Sequence, residues 1–368
     1  MAVPNENTSE IMRILQIIPT LGTGGAEHFV FELSNELCQQ GHTVELLTLF
    51  EIAEDNPIRI RLDKSIKVTS LKKKQGLDPR VFYSVWQFIH RRKFNVVHGH
   101  VGAIKYMFFA SLFCRKVKFV ATIHSEARRE AGRSIDKWAR QLMFGLKRCV
   151  PVTISEESEK SFEDFYGRKG RMIPNGVGPY TQEKVIQLRD NENQIVFLHP
   201  ASCQRVKNQE LLLKGFNRLL DEGVDAKLVW VGSNETFIDL FRSLEPLMKR
   251  NVSYLGVVNN VRDYMAAADA ICLSSKMEGM PMTIIEGFSV GCPAICTPVG
   301  GIRNIIDDGE NGLLSNDLTI DSYFQKLKVF CEMNREQRLH LKSKALASYR
   351  KYSIVECAKR YAELYYRR

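Results

Sequence analysis

No apolar stretch in this sequence approaches the roughly 18 uncharged residues that a membrane-crossing helix needs. The closest candidate, Met107 to Cys114, ends after eight residues. A helical membrane-spanning protein is therefore not expected. A secretory leader is not expected either, because the opening MAVPNENTSE is polar and has no apolar core. The nine cysteines are odd in number and scattered, and none shows zinc-ligand spacing. Many sit inside apolar runs, so they read as reduced, buried thiols of a cytosolic protein. No Asp-x-Asp occurs, so metal chelation of a nucleotide diphosphate is not signalled. Internal repeats, low-complexity tracts and recognisable nucleic-acid-binding modules are also missing.

What is present is a globular composition, with 44% hydrophobic and 26% charged residues over 368 positions, enough for two domains. The net charge of +10 is unevenly placed. Between Arg59 and Arg148 there are 22 Lys and Arg against 5 Asp and Glu, a local +17 that leaves −7 for the remainder. Lys72-Lys73-Lys74, Arg91-Arg92-Lys93, Arg115-Lys116 and Arg128-Arg129 mark the clusters. Such a window is either a solvated basic face or a surface for anionic lipid headgroups or a polyanionic acceptor. Nucleic acid is not the expected partner.

Strand and helix patterns alternate along the chain. A strand over Met12 to Pro19 leads into the glycine-rich loop Gly22-Thr23-Gly24-Gly25-Ala26-Glu27. A helix to Gln40 follows, with Phe29, Val30, Leu33 and Leu37 at helical spacing, and then a strand over Thr43 to Leu49. Further strands are expected at 66–71, 95–98, 119–124 and 149–154, so a parallel sheet with right-handed crossovers is predicted. Turn residues at 175–179 and a polar stretch after them mark a boundary. The resulting expectation is a first domain over 1–178, a linker over 179–192, a second domain over 193–352, and a C-terminal helix over 353–368 packing back on the first domain. Strands beginning at Ile195, Lys227, Val252, Ala270 and Pro293 build the second domain. The predicted fold is α/β, with two Rossmann-like doubly wound parallel-sheet domains facing across a cleft.

The most informative stretch is Ser274 to Gly301, SSKMEGMPMTIIEGFSVGCPAICTPVGG. A buried strand ends at Ser274, Glu278-Gly279-Met280-Pro281 forms a loop, and a short helix begins near Thr283. Unpaired amides at a helix start suit a phosphate. Glu278 and Glu286 flank that junction, ready for hydroxyl groups, so a nucleotide-sugar site is expected there. Arg205 and Lys207 follow the first strand of the same domain. They are either solvated charge or a pair that neutralises a diphosphate.

The loop at Gly24-Gly25 is either a structural turn or a backbone contact to phosphate or sugar. It departs from the dinucleotide fingerprint because Glu27 stands at the last position, which disfavours a nicotinamide-dependent oxidoreductase. Glu27 either favours the helix dipole or receives an acceptor hydroxyl. His98, His100 and His124 are expected just beyond two strands, either as structural hydrogen-bonding groups or as site residues.

Taken in order, Gly24-Gly25-Ala26-Glu27, Ile173-Pro174-Asn175-Gly176-Val177, Lys207-Asn208-Gln209, Glu278-Gly279-Met280-Pro281 with Glu286, and Val299-Gly300-Gly301 resemble a retaining family 4 glycosyltransferase of GT-B architecture. The type resembled is that of bacterial surface-polysaccharide assembly. The resemblance covers nearly the whole chain and is strongest from Lys227 to Leu314. It implies a hexosyltransferase-type enzyme that needs no metal and takes a nucleoside-diphosphate sugar, with UDP as the expected carrier. By the same resemblance Glu286 binds the ribose, Glu278 holds the donor sugar, and Gly279, Met280, Pro281, Met282 and Thr283 face the diphosphate. Lys207, with Arg205, neutralises it. Gly24 and Gly25 approach the phosphate, His124 lies over the sugar, and Val257 and Val258 pass beside the base. Glu27, His98 and His100 are placed on the acceptor side.

Two departures stand out: Ser202 occupies the position where the family commonly has Arg, and Asn304 a position often held by Glu. The expected acceptor is a glycan or a polyprenyl-pyrophosphate-linked glycan, with O-antigen, capsule or exopolysaccharide assembly as the setting. The expected location is cytoplasmic, peripheral on the inner membrane face through the basic first domain. The alternative reading is a nucleotide-sugar-binding protein without transfer activity.

Overall fold

The computed structural model describes residues 10–367 apart from 23, 77, 132–133 and 234–245. Thr23 of the glycine-rich loop thus lies outside the described residues. The chain divides into two compact units, one running to Gly176 and resuming at Ile354, the other spanning Val177–Ser353.

In the first unit the strands are β1 (Arg13–Ile18), β2 (Thr43–Thr48), β3 (Lys67–Ser70), β4 (Val96–His100), β5 (Lys118–Ile123), β6 (Val150–Thr153) and β7 (Arg171–Met172). They form one sheet in the order β3-β2-β1-β4-β5-β6-β7, and each adjacent pair runs parallel. The helices are α1 (Gly25–Gln39), α2 (Pro57–Arg61), α3 (Arg80–Arg92), α4 (Phe108–Phe113), α5 (Ala127–Ala131), α6 (Ser134–Gly145) and α7 (Glu156–Tyr166). Helix α7 is set by a Ser155/Ser158 capping box and stopped by Gly167 at φ 67°.

In the second unit, β8 (Ile195–Pro200), β9 (Ala226–Val231), β10 (Val252–Tyr254), β11 (Ala270–Leu273), β12 (Ala294–Cys296) and β13 (Gly312–Leu314) form a parallel sheet in the order β10-β9-β8-β11-β12-β13. Its helices are α8 (Gln209–Asp221), α9 (Pro246–Asn251), α10 (Val261–Ala267), α11 (Met282–Ser289), α12 (Ile320–Glu332) and α13 (Arg335–Tyr349). The last helix of the chain, α14 (Ile354–Tyr366), belongs to the first unit.

Both sheets are covered on both faces, which is why their central strands read as near-continuous apolar runs. One face of the first sheet packs on α1 and α14 through Phe29, Val30, Ala358 and Tyr361. Its other face packs on α3, α4, α6 and α7 through Val85, Ala110, Met143 and Phe162. In the second unit Leu212, Phe216, Tyr323 and Leu327 of α8 and α12 cover one face. Met265, Ile285 and Phe288 of α10 and α11 cover the other. Each fully buried side chain of this size contributes about 1.5–3 kcal/mol. No described helix is long and apolar enough to cross a membrane.

The polar stretch 179–192, expected to be a linker, is fastened to the second unit. Asp263, buried on α10, accepts from the Tyr180 hydroxyl at 2.8 Å and from the amides of Glu183 and Lys184 at 3.2 and 2.9 Å. Arg189 pairs with Asp269 at 2.8 Å. Most of its side chains are exposed, but its backbone and the side chains of Tyr180 and Arg189 are tied to the unit.

The strand orders fix where ligands can bind. In each sheet the chain builds outward from the centre in one direction and then reverses. The reversal falls between β1 and β4 in the first unit and between β8 and β11 in the second. Loops leaving the carboxyl ends of those strands part in opposite directions and leave a crevice.

Candidate nucleotide-sugar site

At the second unit's reversal point, the loops after β8 and β11 meet. A 3₁₀ turn over Arg205–Lys207 is followed by Asn208 in the left-handed conformation at φ 52°. Ser274, buried at the end of β11, donates to the carbonyls of Lys207 and Asn208 at 2.9 and 3.0 Å. The Lys276 amide donates to the Val206 carbonyl at 2.7 Å. These bonds hold two segments that are far apart in sequence side by side. His199 and Gln209 brace the first of them: the His199 ring bonds the Cys272 carbonyl at 2.7 Å, and the Gln209 amide donates to the Ser202 carbonyl at 3.0 Å. Burial pushes His199 down to about 4, so it serves here as a neutral hydrogen-bonding group.

The Lys207 ammonium donates to Glu278 Oε1 at 2.7 Å, and the Ser275 hydroxyl donates to the same oxygen at 2.6 Å. The Thr297 hydroxyl holds the Ser275 carbonyl at 2.6 Å. The expected diphosphate cation and the expected sugar-binding carboxylate are thus paired with each other. Ser274, Ser275, His199 and Gln209 brace these two side chains or their loops, a part that sequence reasoning gave to none of them. Small polar residues at a strand's carboxyl end are a weak sign by themselves. Arg205 is exposed, and its side chain has no partner among the described residues.

Gly300 and Gly301 shape the segment that carries Glu278. A Cβ at either position would run into the Glu278 or Gly279 carbonyl, and Gly300 has φ 48°. The Gly301 amide donates to the Glu278 carbonyl at 3.3 Å. That close approach requires the two glycines that stand together after Val299.

Helix α11 begins immediately after this loop, with Pro281 at its N-cap and no side-chain cap. Its first amides have no carbonyl within the helix to meet. Gly287 allows α11 to press onto β11, since a Cβ there would strike Ile271. Glu286, on the same helix, is half-buried, and its carboxylate forms no hydrogen bond or ion pair among the described residues. Burial raises its carboxyl above the ordinary range, and the charge of Arg262 pulls the other way. A half-buried carboxylate in that condition is ready for hydroxyl donors. Met280, Met282 and Thr283 are half-buried beside it, Val257 is exposed in the loop after β10, and Val258 packs on the core beneath α10 and α11.

The first unit has the corresponding loops. Gly24 is the N-cap of α1 in extended conformation, and both Gly24 and Gly25 are exposed. The Glu27 carboxylate folds back against Gly24. This agrees with a negative charge in a helix's first turn, and it puts a carboxylate beside the loop expected to meet phosphate.

The histidines require a correction. His98 and His100 lie within β4 rather than beyond it, and both are fully buried. His98 bonds the Tyr365 hydroxyl and Thr122 Oγ1, each at 2.7 Å. His100 bonds Gln16 Oε1 at 2.8 Å and His124 Nε2 at 3.0 Å. Their ring nitrogens are occupied and no surface is left for an acceptor, so they act as internal struts. Burial lowers both below the usual histidine range, and neighbouring rings add to this. His124 is half-buried just past β5, and burial lowers it to about 3. Its amide donates to Glu130 Oε2 at 2.8 Å, and its ring meets Phe29 edge-on. Of the three, His124 alone reaches toward the surface.

Comparison with known proteins adds the family. Residues 181–347 match the model described as glycosyl transferases group 1, and residues 23–179 match glycosyltransferase family 4. The chain is 24% identical over 364 residues to N-acetyl-alpha-D-glucosaminyl L-malate synthase of Bacillus anthracis, covering 93% of this chain and 94% of the relative. It is 25% identical over 303 residues to an Escherichia coli UDP-Gal:alpha-D-GlcNAc-diphosphoundecaprenol alpha-1,3-galactosyltransferase, covering 74% and 77%. Among solved structures, that of Anabaena HepE in complex with UDP has a TM-score of 0.79 at 18% identity, covering 96% of this chain and 99% of that one. The two Rossmann-like parallel-sheet units are those of the GT-B class.

Proposed function

The chain belongs to the family 4 glycosyltransferases, and on that premise we propose that it transfers a hexose from a UDP-sugar to a glycan or lipid-linked glycan. Transfer occurs with retention of configuration and without a metal ion. The observation that carries the reading is the grouping in the second unit. Lys207, Glu278 and the unpartnered Glu286 are brought to the reversal point of one sheet by loops locked together. The UDP complex of the structural neighbour and the undecaprenol-linked acceptor named for the E. coli relative support the donor and acceptor classes.

In this reading Glu286 accepts hydrogen bonds from the ribose hydroxyls, and the first amides of α11 face the diphosphate. On donor binding, Lys207 exchanges Glu278 for phosphate oxygens, and Glu278 turns to the sugar hydroxyls. Arg205, exposed and without a partner among the described residues, adds positive charge where Ser202 stands in place of the family's Arg. His124 contacts the sugar. Gly24 and Gly25 meet the phosphate side, and Glu27 an acceptor hydroxyl. As the bond from the anomeric carbon to phosphate oxygen breaks, the acceptor oxygen bonds to that carbon on the same face. The departing phosphate oxygen takes the acceptor's proton, and Lys207 stabilises its charge. The basic first unit keeps the enzyme at an anionic membrane surface.

A thermal-shift panel of uridine, guanosine and adenosine diphosphate sugars identifies the donor, with the uridine series expected to stabilise most. Anomeric proton spectra of the transfer product then report its stereochemistry. Lys207→Ala is expected to raise the barrier by about 2–4 kcal/mol. Wild-type turnover in that variant, or an inverted product, overturns the mechanism.

A further inference from the structure

Unit one carries an apolar face that its core does not use. Helix α4 ends with Phe113, which is 68% exposed, and Phe109 one turn earlier is 43% exposed. On α6, Ile135 and Trp138, three residues apart and so on one side of the helix, are 57% and 61% exposed. The two helices lie together: the rings of Phe109 and Trp138 both contact Phe108, at 5.4 and 5.6 Å between centroids. Two adjoining helices thus expose four large apolar side chains, whereas apolar residues scattered singly are ordinary on any protein surface.

The surroundings are basic. Exposed Arg115 and Lys116 follow Phe113 after the buried Cys114. Arg148 Nε donates to the Ser111 carbonyl of α4 at 2.7 Å, which brings the neighbouring exposed Leu146 and Lys147 to the same edge. The acids nearby are turned inward. Asp136 of α6 and Glu130 of α5 have side chains only 5% and 3% exposed, held by buried Arg140 at 2.7 and 3.1 Å. Helix α4 itself has no acid. Aromatic groups on an outward face with a cationic rim suit the boundary of an anionic bilayer, where rings enter the headgroup layer and cations meet lipid phosphate.

We propose that the Phe109–Phe113–Ile135–Trp138 face of α4 and α6 inserts into the interfacial layer of an anionic membrane, with Arg115, Lys116 and Lys147 on the headgroups. The occupant is a lipid surface, because the exposed cations of the rim are complementary to lipid phosphate and the aromatic rings beside them to the headgroup layer. The proposal rests on the membrane-surface part of the proposed function and deepens it, from attraction by charge to insertion at a defined place.

The protein provides its own probe. Of its three tryptophans, Trp230 is buried and Trp86 half-buried, so Trp138 dominates the accessible emission. Vesicles containing phosphatidylglycerol and lipids brominated along the acyl chain are expected to shift that emission to the blue and quench it. Phosphatidylcholine vesicles are expected to leave it unchanged, and Trp138→Phe to abolish the quenching. Phe113→Ser, at an exposed position, is expected to weaken vesicle binding about tenfold, with unchanged circular dichroism and unchanged hydrolysis of the UDP-sugar in solution. Co-sedimentation with anionic vesicles without quenching overturns insertion and leaves charge-driven association standing. No co-sedimentation at low salt overturns both, while donor turnover independently reports on the transferase reading. A concentration-dependent dimer that Phe113→Ser dissolves, with vesicle binding unaffected, assigns the face to a second copy and also overturns the proposal.

Discussion

Replacing Glu278 by glutamine separates the two roles that converge on Lys207. The Lys207 ammonium lies 2.7 Å from Glu278 Oε1, with the two side chains 25% and 11% exposed. At an effective dielectric near 20, unit charges about 4 Å apart attract by about 4 kcal/mol. Hydration of the partly exposed lysine leaves a net of about 1–2 kcal/mol. A diphosphate that recruits Lys207 must displace that interaction. Glutamine keeps the shape and can still accept from the Ser275 hydroxyl, whose bond to Oε1 is 2.6 Å, but it holds Lys207 only weakly. Glu278→Gln is therefore expected to bind UDP about five to thirty times more tightly, while its transfer rate falls because the contact to sugar hydroxyls is weakened. Isothermal titration with UDP measures the first effect and steady-state transfer the second. The gain should vanish when Lys207→Met is already present, which a double-mutant cycle reads directly. An unchanged or weaker UDP affinity in Glu278→Gln refutes the idea that the pair restrains the lysine.

Glu286→Gln is expected to weaken UDP binding by about 2–3 kcal/mol, the worth of hydrogen bonds to a charged acceptor, and titration with UDP checks it. Its pH dependence has a definite sign. Burial raises the Glu286 carboxyl above its ordinary value of 4.5, so this group's contribution to stability declines as pH rises past that value. Ribose hydroxyls favour the ionised form. UDP affinity in the wild type should thus increase as pH climbs through the raised value, and the glutamine variant should lack that rise. Gly300→Ala is expected to cost about 3 kcal/mol, because its Cβ meets the Glu278 carbonyl and the residue has φ 48°. Thermal unfolding followed with and without UDP should show both a lower Tm and a smaller ligand-induced shift.

Much of the fold was legible from local signals. Alternating strand and helix patterns placed β1 and β2 within a residue at each end and found where β8 and β11 begin, because each is a short apolar run bounded by polar or turn residues. The pattern around Glu278 and Glu286 identified the loop and α11, since a break at Gly279-Met280-Pro281 separates a buried strand from a short apolar helix and neither element can run through it. The same signals failed for His98 and His100. A histidine at the end of an apolar run reads equally well as a surface group, and only the partners Tyr365, Thr122 and Gln16 make it interior. The exposed polar stretch 179–192 gave no sign of its attachment, because the ties to Asp263 and Asp269 come from two backbone amides, Tyr180 and Arg189.

By itself the sequence determined two α/β units, their parallel sheets, the cation-bearing turn at Lys207 and the acid-flanked start of α11. These follow from periodicity and turn chemistry, which act over a few residues. Tertiary structure decided which distant groups became neighbours. Lys207 and Glu278 are 71 positions apart, and they meet because β8 pairs with β11 at the reversal of the sheet. The inward turn of Glu130 and Asp136 onto Arg140, and the approach of α4 and α6 through Phe108 and Trp138, were decided in the same way. Sequence pattern records how much of a residue must be buried. The order in which strands assemble decides against what.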